Sequence, residues 1–305
     1  MKKSFLFITD AFDSLNHKKD TSIFMMEEAL NNGADVYQCE INNIFAFDNI
    51  IYANCLSINS NISISINSSK IDLSEFSSVF MRKDPPVDDD YINCLHLLST
   101  AVNNGAKIHN NPSAIKDFNE KVFALHFPNF IPKTIITSNI NQIKEFQQRY
   151  KTIVVKPLDG MGGTSIHKFN DINEDEKDIL INMTNQEKTT IIAQEFLPAI
   201  YDGDFRILII HGKVFPKTLA RIPQDGNFKG NLAAGGRGVV ADLSSVQKDI
   251  ANQIAIKLLE NGINFAGIDM IGDKLTEINI TSPTCAREIF NQSGKNPIKD
   301  YIEGL

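Results

Sequence analysis

The sequence predicts an α/β protein of more than one unit: an N-terminal α/β domain with a mostly parallel sheet over residues 1–118, a smaller unit over 119–198, and a C-terminal unit over 199–305. Three observations predict it. In the first third, short apolar runs alternate with amphipathic stretches, the pattern of strands interleaved with helices. The last third reads instead as strand pairs joined by tight turns, with one amphipathic helix among them. At 305 residues the chain is also long for one ordinary core, so two or three units sharing interfaces are expected.

Residues 4–9 read as a buried strand. Lys2 and Lys3 precede its apolar run, but that run is too short for a signal peptide and stops at Thr9 and Asp10. Residues 21–31 read as a helix that Asp20 or Thr21 can cap and Gly33 can end. A second strand covers 34–39, and Ile62, Ile64 and Ile66 alternate with Ser63 and Ser65 as in a half-exposed strand. The strand at 77–81 leads into Arg82-Lys83-Asp84-Pro85-Pro86, and the helix at 90–103 is closed by Gly105. Pro112 opens a helix expected to run through His126.

The middle unit reads as a helix at 139–150, a strand at 152–156, a glycine-rich turn, a strand at 164–169, a polar helix at 173–183 and a strand at 190–196. Residues 205–210 and 214–221 flank the turn signal His211-Gly212-Lys213. Residues 223–238 are polar and glycine-rich and read as a long mobile loop, and loops of that length inside compact domains are lids or disordered segments. Ile250, Ile254 and Leu258 fall on one helical face, with Ala251, Ala255 and Leu259 beside them. Residues 265–271 and 275–280 form a last hairpin.

Composition excludes several classes. Thirty basic against 37 acidic residues leave a net charge of −7, which disfavours nucleic acid as the main partner. No apolar run reaches membrane-spanning length. Cys39, Cys55, Cys94 and Cys285 fit neither a zinc module nor a disulfide framework, so a reducing cytoplasm is the expected setting.

Among residues suited to chemistry, Glu277 and Asn279 stand two apart on a strand and share a face, where their oxygens suit a hard cation. Asp269 joins them if the hairpin loop is Gly272-Asp273-Lys274, pairing Ile271 with Leu275; a two-residue turn would send Asp269 to the other face. The alternative is a set of solvated strand residues. Lys156 ends a strand just before Gly160, Gly162 and Gly163, where backbone N–H groups can approach a phosphate without an intervening Cβ. An ordinary hairpin turn explains that segment equally well. Lys121 is a second candidate for phosphate, or a surface lysine. Gln194-Glu195-Phe196-Leu197 can read an adenine edge, or be a plain strand end. Arg82, Arg206 and Arg221 near strand ends match carboxylates and phosphates, unless they pair with nearby acids such as Asp84 and Asp204. The segment from Gly230 to Gly238 is too rich in small residues to pack a core, and reads as a linker or a lid that excludes water.

In chain order, Met81-Arg82-Lys83-Asp84-Pro85-Pro86, Asn119-Glu120-Lys121, Lys156-Pro157-Leu158-Asp159-Gly160-Met161-Gly162-Gly163, Gly230-Asn231-Leu232-Ala233-Ala234-Gly235-Gly236-Arg237-Gly238 and Thr276-Glu277-Ile278-Asn279-Ile280-Thr281-Ser282-Pro283-Thr284-Cys285 closely resemble prokaryotic glutathione synthetase, of the ATP-grasp superfamily. The similarity runs from Asp13-Ser14-Leu15 nearly to the C-terminus. It implies ATP held between two α+β subdomains, the small one being 119–198. It implies ligation of γ-glutamylcysteine and glycine through an acyl phosphate, with Mg²⁺ as the metal and Mn²⁺ as a substitute. It further implies a cytoplasmic homo-oligomer, dimer or tetramer, with no nucleic-acid or membrane partner.

The resemblance assigns nucleotide contacts to Lys121, Lys156, Gly160, Gly162, Gly163, Gln194, Glu195 and Leu197. It assigns the metal to Asp269, Glu277 and Asn279, and the substrate to Arg82, Arg206, Arg221 and Asn231. Arg206, Arg221 and Arg237 are its catalytic residues. It makes residues 222–237 the lid, which departs from the family: Gly-Glu-x-Arg-Gly-Asn becomes Gly226-Asn227-Phe228-Lys229-Gly230-Asn231, where Lys229 keeps a charge but loses the fork, and Asn227 loses a carboxylate. Another carboxylate–amine ligase of the superfamily, and a non-catalytic nucleotide-binding regulator, are the alternatives.

Overall fold

The computed structural model describes residues 2–160 and 165–305. The first sheet has seven strands. β1 (Ser4–Ile8) is followed by α1 (Thr21–Asn31), β2 (Asp35–Cys39), β3 (Ile44–Phe47), β4 (Ile50–Ile58), β5 (Ile64–Asp72), β6 (Ser78–Met81), α2 (Asp89–Asn103) and β7 (Ile108–His109). Its order is β3-β4-β2-β1-β6-β7, with β5 also pairing β4. The pairs β1–β2, β1–β6 and β6–β7 are parallel, while β4 is antiparallel to β2, β3 and β5. The sheet is therefore half parallel, against the expectation of a mostly parallel one.

The difference comes from β4, which forms hairpins with both β3 and β5; the first of them turns at Asp48 and Asn49 with φ of 47° and 63°. Two consecutive left-handed residues suit a tight hairpin, and here the turn does it without glycine. Ile62 sits in a turn of its own at φ 54° rather than in a strand, and Ile66 is 99% exposed, so the Ile–Ser alternation marks the start of β5 and not a buried face. α1 starts where its cap predicts: the Asp20 carboxylate accepts N–H groups from Ser22 and Ile23 at 2.6 and 3.0 Å.

The helix expected from Pro112 to His126 is broken. α3 (Pro112–Asp117) ends at an extended Phe118, and a 3-10 turn over Phe123–His126 follows. Asn119 starts the new turn by accepting N–H groups from Lys121 (3.0 Å) and Val122 (3.1 Å). The break presents Glu120 and Lys121 to the C-terminal sheet.

The second sheet is a four-stranded antiparallel unit of order β10-β9-β11-β8. It contains β8 (Thr134–Thr137), α4 (Ile140–Tyr150), β9 (Ile153–Pro157), β10 (His167–Phe169), α5 (Glu174–Met183) and β11 (Ile191–Glu195). It has its own core around Ile143, Ile153, Val155, Phe169 and Leu180. The third sheet, β14-β13-β12-β15-β16, is also antiparallel. Its strands are β12 (Asp204–Ile210), β13 (Lys213–Ile222), β14 (Arg237–Ala241), β15 (Phe265–Ile271) and β16 (Lys274–Asn279).

α6 (Ser245–Glu260) covers this third sheet with Ile250, Ile254 and Leu258, while Leu259 stays 50% exposed. α7 (Ala286–Ser293) and α8 (Pro297–Glu303) close the chain against α1. One core cluster joins Phe5, Phe7 and Phe80 of the first sheet to Leu208, Phe265 and Tyr301 of the C-terminal region. That shared core fixes the first sheet relative to the third.

Candidate active site

A cleft of about 540 Å³ opens between the second and third sheets and is lined by Lys121, Lys156, Gly160, Gln194, Glu195, Leu197, Asp204, Arg206, Arg221, Asn231, Asp269, Glu277 and Asn279. It gathers most of the residues singled out in the sequence.

The register across three strands explains why. Arg206 on β12 lies opposite Asp269 on β15, which lies opposite Glu277 on β16. One row up, Asp204 on β12 faces Arg221 on β13. The Asp269–Glu277 pairing arises by a route different from the expected three-residue loop. The turn is the two residues Gly272 and Asp273, so Ile271 pairs with Lys274. A β-bulge at Thr276 then inserts one residue into β16 and brings Asp269 back opposite Glu277. Thr276 stabilises that bulge by donating its hydroxyl to the Asp269 carbonyl at 3.1 Å.

The charges are paired. Arg206 grips Asp269 as a fork, Nε to Oδ1 at 2.5 Å and Nη2 to Oδ2 at 3.0 Å. Arg221 Nη2 meets Asp204 Oδ2 at 2.5 Å and Asp269 Oδ1 at 3.0 Å. The Arg206 partner is thus Asp269 and not the sequence neighbour Asp204. Asn279 donates to Asp269 Oδ2 at 3.3 Å and to the Gly267 carbonyl at 3.1 Å. Lys121 Nζ sits 2.9 Å from Glu277 Oε1 and donates to the Gly160 carbonyl at 2.7 Å.

Burial alone would raise the Asp269 carboxyl, but Arg206 and Arg221 hold it well below the usual carboxylate range. Burial pushes Asp204 up, against the pull of Arg221. Burial lowers Lys156, with Glu277 opposing and Lys121 adding to the shift.

On the other wall, Glu195 accepts the Lys133 N–H at 2.8 Å and Gln194 donates to Thr134 Oγ1 at 3.2 Å. Those bonds hold the strand end whose Phe196 and Leu197 line the cleft. Lys168 Nζ lies 3.9 Å above the Phe196 ring, and Phe228 approaches that ring edge-on at 6.5 Å. Phe228 belongs to the lid expected over 222–237. The stretch is shorter than expected: β13 runs through Ile222 and β14 begins at Arg237. Asn227 shapes the loop, accepting N–H groups from Phe228 and Lys229 at 2.8 and 3.1 Å.

Two assigned arginines stand apart. Arg237 is exposed at the start of β14, opposite Ile222, and is not among the residues lining the cleft. Arg82 is buried outside the lining, donating from Nε to Ser22 Oγ at 3.1 Å and from Nη2 to the Pro283 carbonyl at 2.9 Å. It ties β6 to the segment after β16 rather than pairing with Asp84. Gly162 and Gly163 lie outside the described residues.

Two residues escaped the sequence reading. Asp204 carries a buried carboxylate in the cleft, and its signal was its place two before Arg206 on one strand face. Glu120 accepts N–H groups from Ile280 and Thr281, and the Thr281 hydroxyl, at 2.7, 2.9 and 2.9 Å, while its own carbonyl accepts from Ile278 at 2.9 Å. It lay in plain sight beside Lys121, but nothing local marks a carboxylate whose partners are about 160 residues away.

Among the described residues, no group of three His, Cys, Asp or Glu stands ready to hold a metal. Two carboxylates and an amide are a sparse set. They suit a small hard cation that keeps waters and draws its remaining oxygens from phosphates.

An antiparallel four-stranded unit facing a five-stranded one across a cleft of lysines and acids defines an ATP-grasp ligase. Solved structures agree on the fold: D-cycloserine synthetase DcsG superposes with a TM-score of 0.69 at 12% identity, covering 99% of this chain and 98% of that one. The ligase PsnB with a minimal precursor gives 0.65 at 15% identity, covering 99% and 97%. The family is narrower. The N-terminal domain of prokaryotic glutathione synthetase matches residues 4–116, and the ATP-grasp domain of prokaryotic glutathione synthetase matches 120–294. The chain is 42% identical over 304 residues to glutathione synthetase of Vibrio vulnificus strain YJ016, and 38% identical over 304 to that of Escherichia coli K12, covering in each case 97% of this chain and 96% of the relative. The chain belongs to the prokaryotic glutathione synthetase family, and it is an ATP-dependent ligase.

Proposed function

We propose that the chain joins the cysteinyl carboxylate of γ-glutamylcysteine to the amine of glycine, forming glutathione, ADP and phosphate. The observation that carries this is the row Arg206–Asp269–Glu277, in register across three strands and set in one cleft with Lys121 and Lys156. Lys121 and Lys156 hold the nucleotide phosphates, and Gln194, Glu195 and Leu197 border the base. Asp269, Glu277 and Asn279 hold Mg²⁺, or Mn²⁺ in its place, which when bound neutralises phosphate charge. Arg206 and Arg221 are already aimed into the cleft by Asp269 and Asp204, so little reorganisation is needed to face a transferring phosphoryl group.

The carboxylate oxygen attacks the γ-phosphorus and ADP leaves. Glycine's nitrogen then attacks the acyl carbon and phosphate leaves. Asn231 and the Phe228 segment cover the cleft and keep water from the acyl phosphate. Four free, buried cysteines fit a reducing cytoplasm as the working compartment.

Phosphate release from Mg·ATP with γ-glutamylcysteine, with and without glycine, tests the proposal. Release is expected to depend on glycine and to be nearly abolished in Glu277→Gln. Undiminished activity in that variant refutes the metal assignment. Turnover with D-alanine or glutamate pairs in place of γ-glutamylcysteine and glycine refutes the substrates.

A further inference from the structure

Ligation needs something that the phosphate-binding residues do not provide. An amino acid arrives at neutral pH as an ammonium ion, and an ammonium nitrogen has no lone pair to offer the acyl carbon. A group in the cleft must hold that cation and take its proton.

We propose that Asp204 does this: its Oδ1 seats the ammonium of the incoming amine and receives the proton lost before attack. The inference rests on the ligase reading given above.

The carboxylates of the cleft differ in what they have left to offer. Asp269 is engaged on both oxygens, by the Arg206 fork and by Asn279. Glu277 Oε1 is held by Lys121. Glu120 spends Oε1 on three donors from Ile280 and Thr281. Asp204 gives Oδ2 to Arg221, while its Oδ1 is buried without a hydrogen-bond partner. Among the described residues, it is the one buried, unpartnered side-chain oxygen on a residue that lines the cleft. A carboxylate oxygen left in that state costs free energy unless a donor fills it, and an ammonium group is the strongest donor available to it.

The position suits the task. Arg221 anchors the other oxygen, so the carboxylate cannot swing away. The base of the lid rests on it: a Cβ at Gly230 would lie 3.0 Å from Asp204 Cβ and 2.5 Å from the Arg221 carbonyl. An amine held at Oδ1 is therefore under the segment that excludes water. Burial also keeps the carboxyl above the ordinary carboxylate range, which improves it as a proton acceptor.

The step balances. One proton passes from the ammonium to Asp204. The freed lone pair forms the C–N bond, the bond from the acyl carbon to the phosphate oxygen breaks, and the second nitrogen proton leaves on the released phosphate.

Hydroxylamine separates this role from a merely positional one, because it is uncharged at neutral pH and needs no base. Purified Asp204→Asn is assayed for glutathione formation with glycine and for hydroxamate formation with hydroxylamine, both with Mg·ATP and γ-glutamylcysteine. Loss of aim in Arg221 lowers both reactions alike, so the reading is their ratio: kcat/KM for glycine is expected to fall on the order of 100-fold further than hydroxamate formation does, the scale of general acid–base catalysis. Equal losses with both nucleophiles would show that Asp204 only orients Arg221, and would overturn the proposal. So would unchanged glycine kinetics. Should the asparagine variant not melt cooperatively, Asp204→Ser takes its place with the same two readings. If the unaltered enzyme ligates no glycine, the functional reading fails first, an outcome visible before any variant is made.

Discussion

Gly267→Ala tests whether the Arg206–Asp269 fork drives catalysis. Gly267 has no positive φ to protect; it is small because Arg206 lies across it. A Cβ built there falls 2.7 Å from Arg206 Cδ and 3.2 Å from its Nε. Ordinary carbon–carbon contact is about 3.5 Å, so the arginine stem must move by roughly 0.8 Å. It cannot move freely, because Nε and Nη2 are pinned to Asp269 at 2.5 and 3.0 Å. The fork therefore loosens, and overpacking of this kind costs about 1–3 kcal/mol of stability. A displacement of about 1 Å in a group that faces the reacting atoms can cost on the order of 100-fold in rate. Steady-state kinetics and thermal denaturation measured side by side are the assay. The expected outcome is a modest fall in Tm, a large fall in kcat, and little change in KM for ATP, since Arg206 is not assigned to the nucleotide. A variant within about twofold of the parent in kcat, with a lowered Tm that shows the strain was felt, would refute the reasoning: the fork would be structural.

Glu120→Ala leaves the Ile280 and Thr281 N–H groups without their acceptor, at about 1–3 kcal/mol for each left unsatisfied, and should raise KM for ATP because Lys121 and Glu277 lose their common frame. Glu120→Gln keeps an oxygen acceptor and tests the charge instead. Burial and Glu277 raise the Glu120 carboxyl, so its stabilising contribution is full below the unfolded value of about 4.3 and is lost as pH rises through the folded value. The parent should accordingly lose more Tm than the glutamine variant between pH 4.5 and 7.5; identical profiles would count against a buried charged Glu120. Asp269 has the opposite sign, its value being depressed, so its contribution is present above an unfolded value of about 3.9 and fades as pH falls below it; Asp269→Asn should flatten the acid limb of a stability profile. Phe228→Ala removes an aromatic pair worth about 0.5–1.5 kcal/mol, so the covering segment should close about two- to tenfold less often, seen as ADP release that outruns glutathione formation. Matched ADP and glutathione yields would exclude a sealing role for Phe228.

The sequence reading succeeded where chemistry and local rules agreed. The α1 boundaries followed from Asp20 and Gly33, and the third-sheet strands from runs such as residues 205–210 and 265–271, because caps, turn residues and periodicity are local. It fell short where pairing partners are distant. The β3–β4 hairpin turns on Asp48 and Asn49 without a glycine to announce it, and Ile62 looked like a strand residue while occupying a turn. Glu120 is recognisable only once segments about 160 residues apart lie side by side, whereas the one mark of Asp204 in the sequence is its place two before Arg206. The hairpin register is the sharpest case. Asp269 and Glu277 were expected on one face only with a three-residue loop; the loop has two, and the bulge at Thr276 supplies the missing residue from within the strand. A count of residues between two acids cannot say where an extra one is absorbed.

The pairing pattern also bears on how the site is kept in readiness. Lys121, Arg206 and Arg221 would each be costly buried cations if alone, and Glu277, Asp269 and Asp204 costly anions. Pairing opposes the discharge that burial favours: Arg206 and Arg221 hold the buried Asp269 carboxyl well below the usual carboxylate range. A nucleotide entering with its cation brings both signs at once. On the assignment proposed above, the phosphates would take over Lys121 and a bound divalent ion would take over Glu277, while Arg206 and Arg221 keep their carboxylate partners. No charge is left unpartnered during that exchange, so the binding site needs no large rearrangement of the three strands that carry it. On this view, neutralising one member of a pair should hurt more than neutralising both. Lys121→Met with Glu277→Gln should restore part of the Tm lost in Lys121→Met alone, by about 1–3 kcal/mol of coupling, while leaving activity abolished. Strict additivity in Tm would mean that the pair is solvated and contributes nothing to readiness.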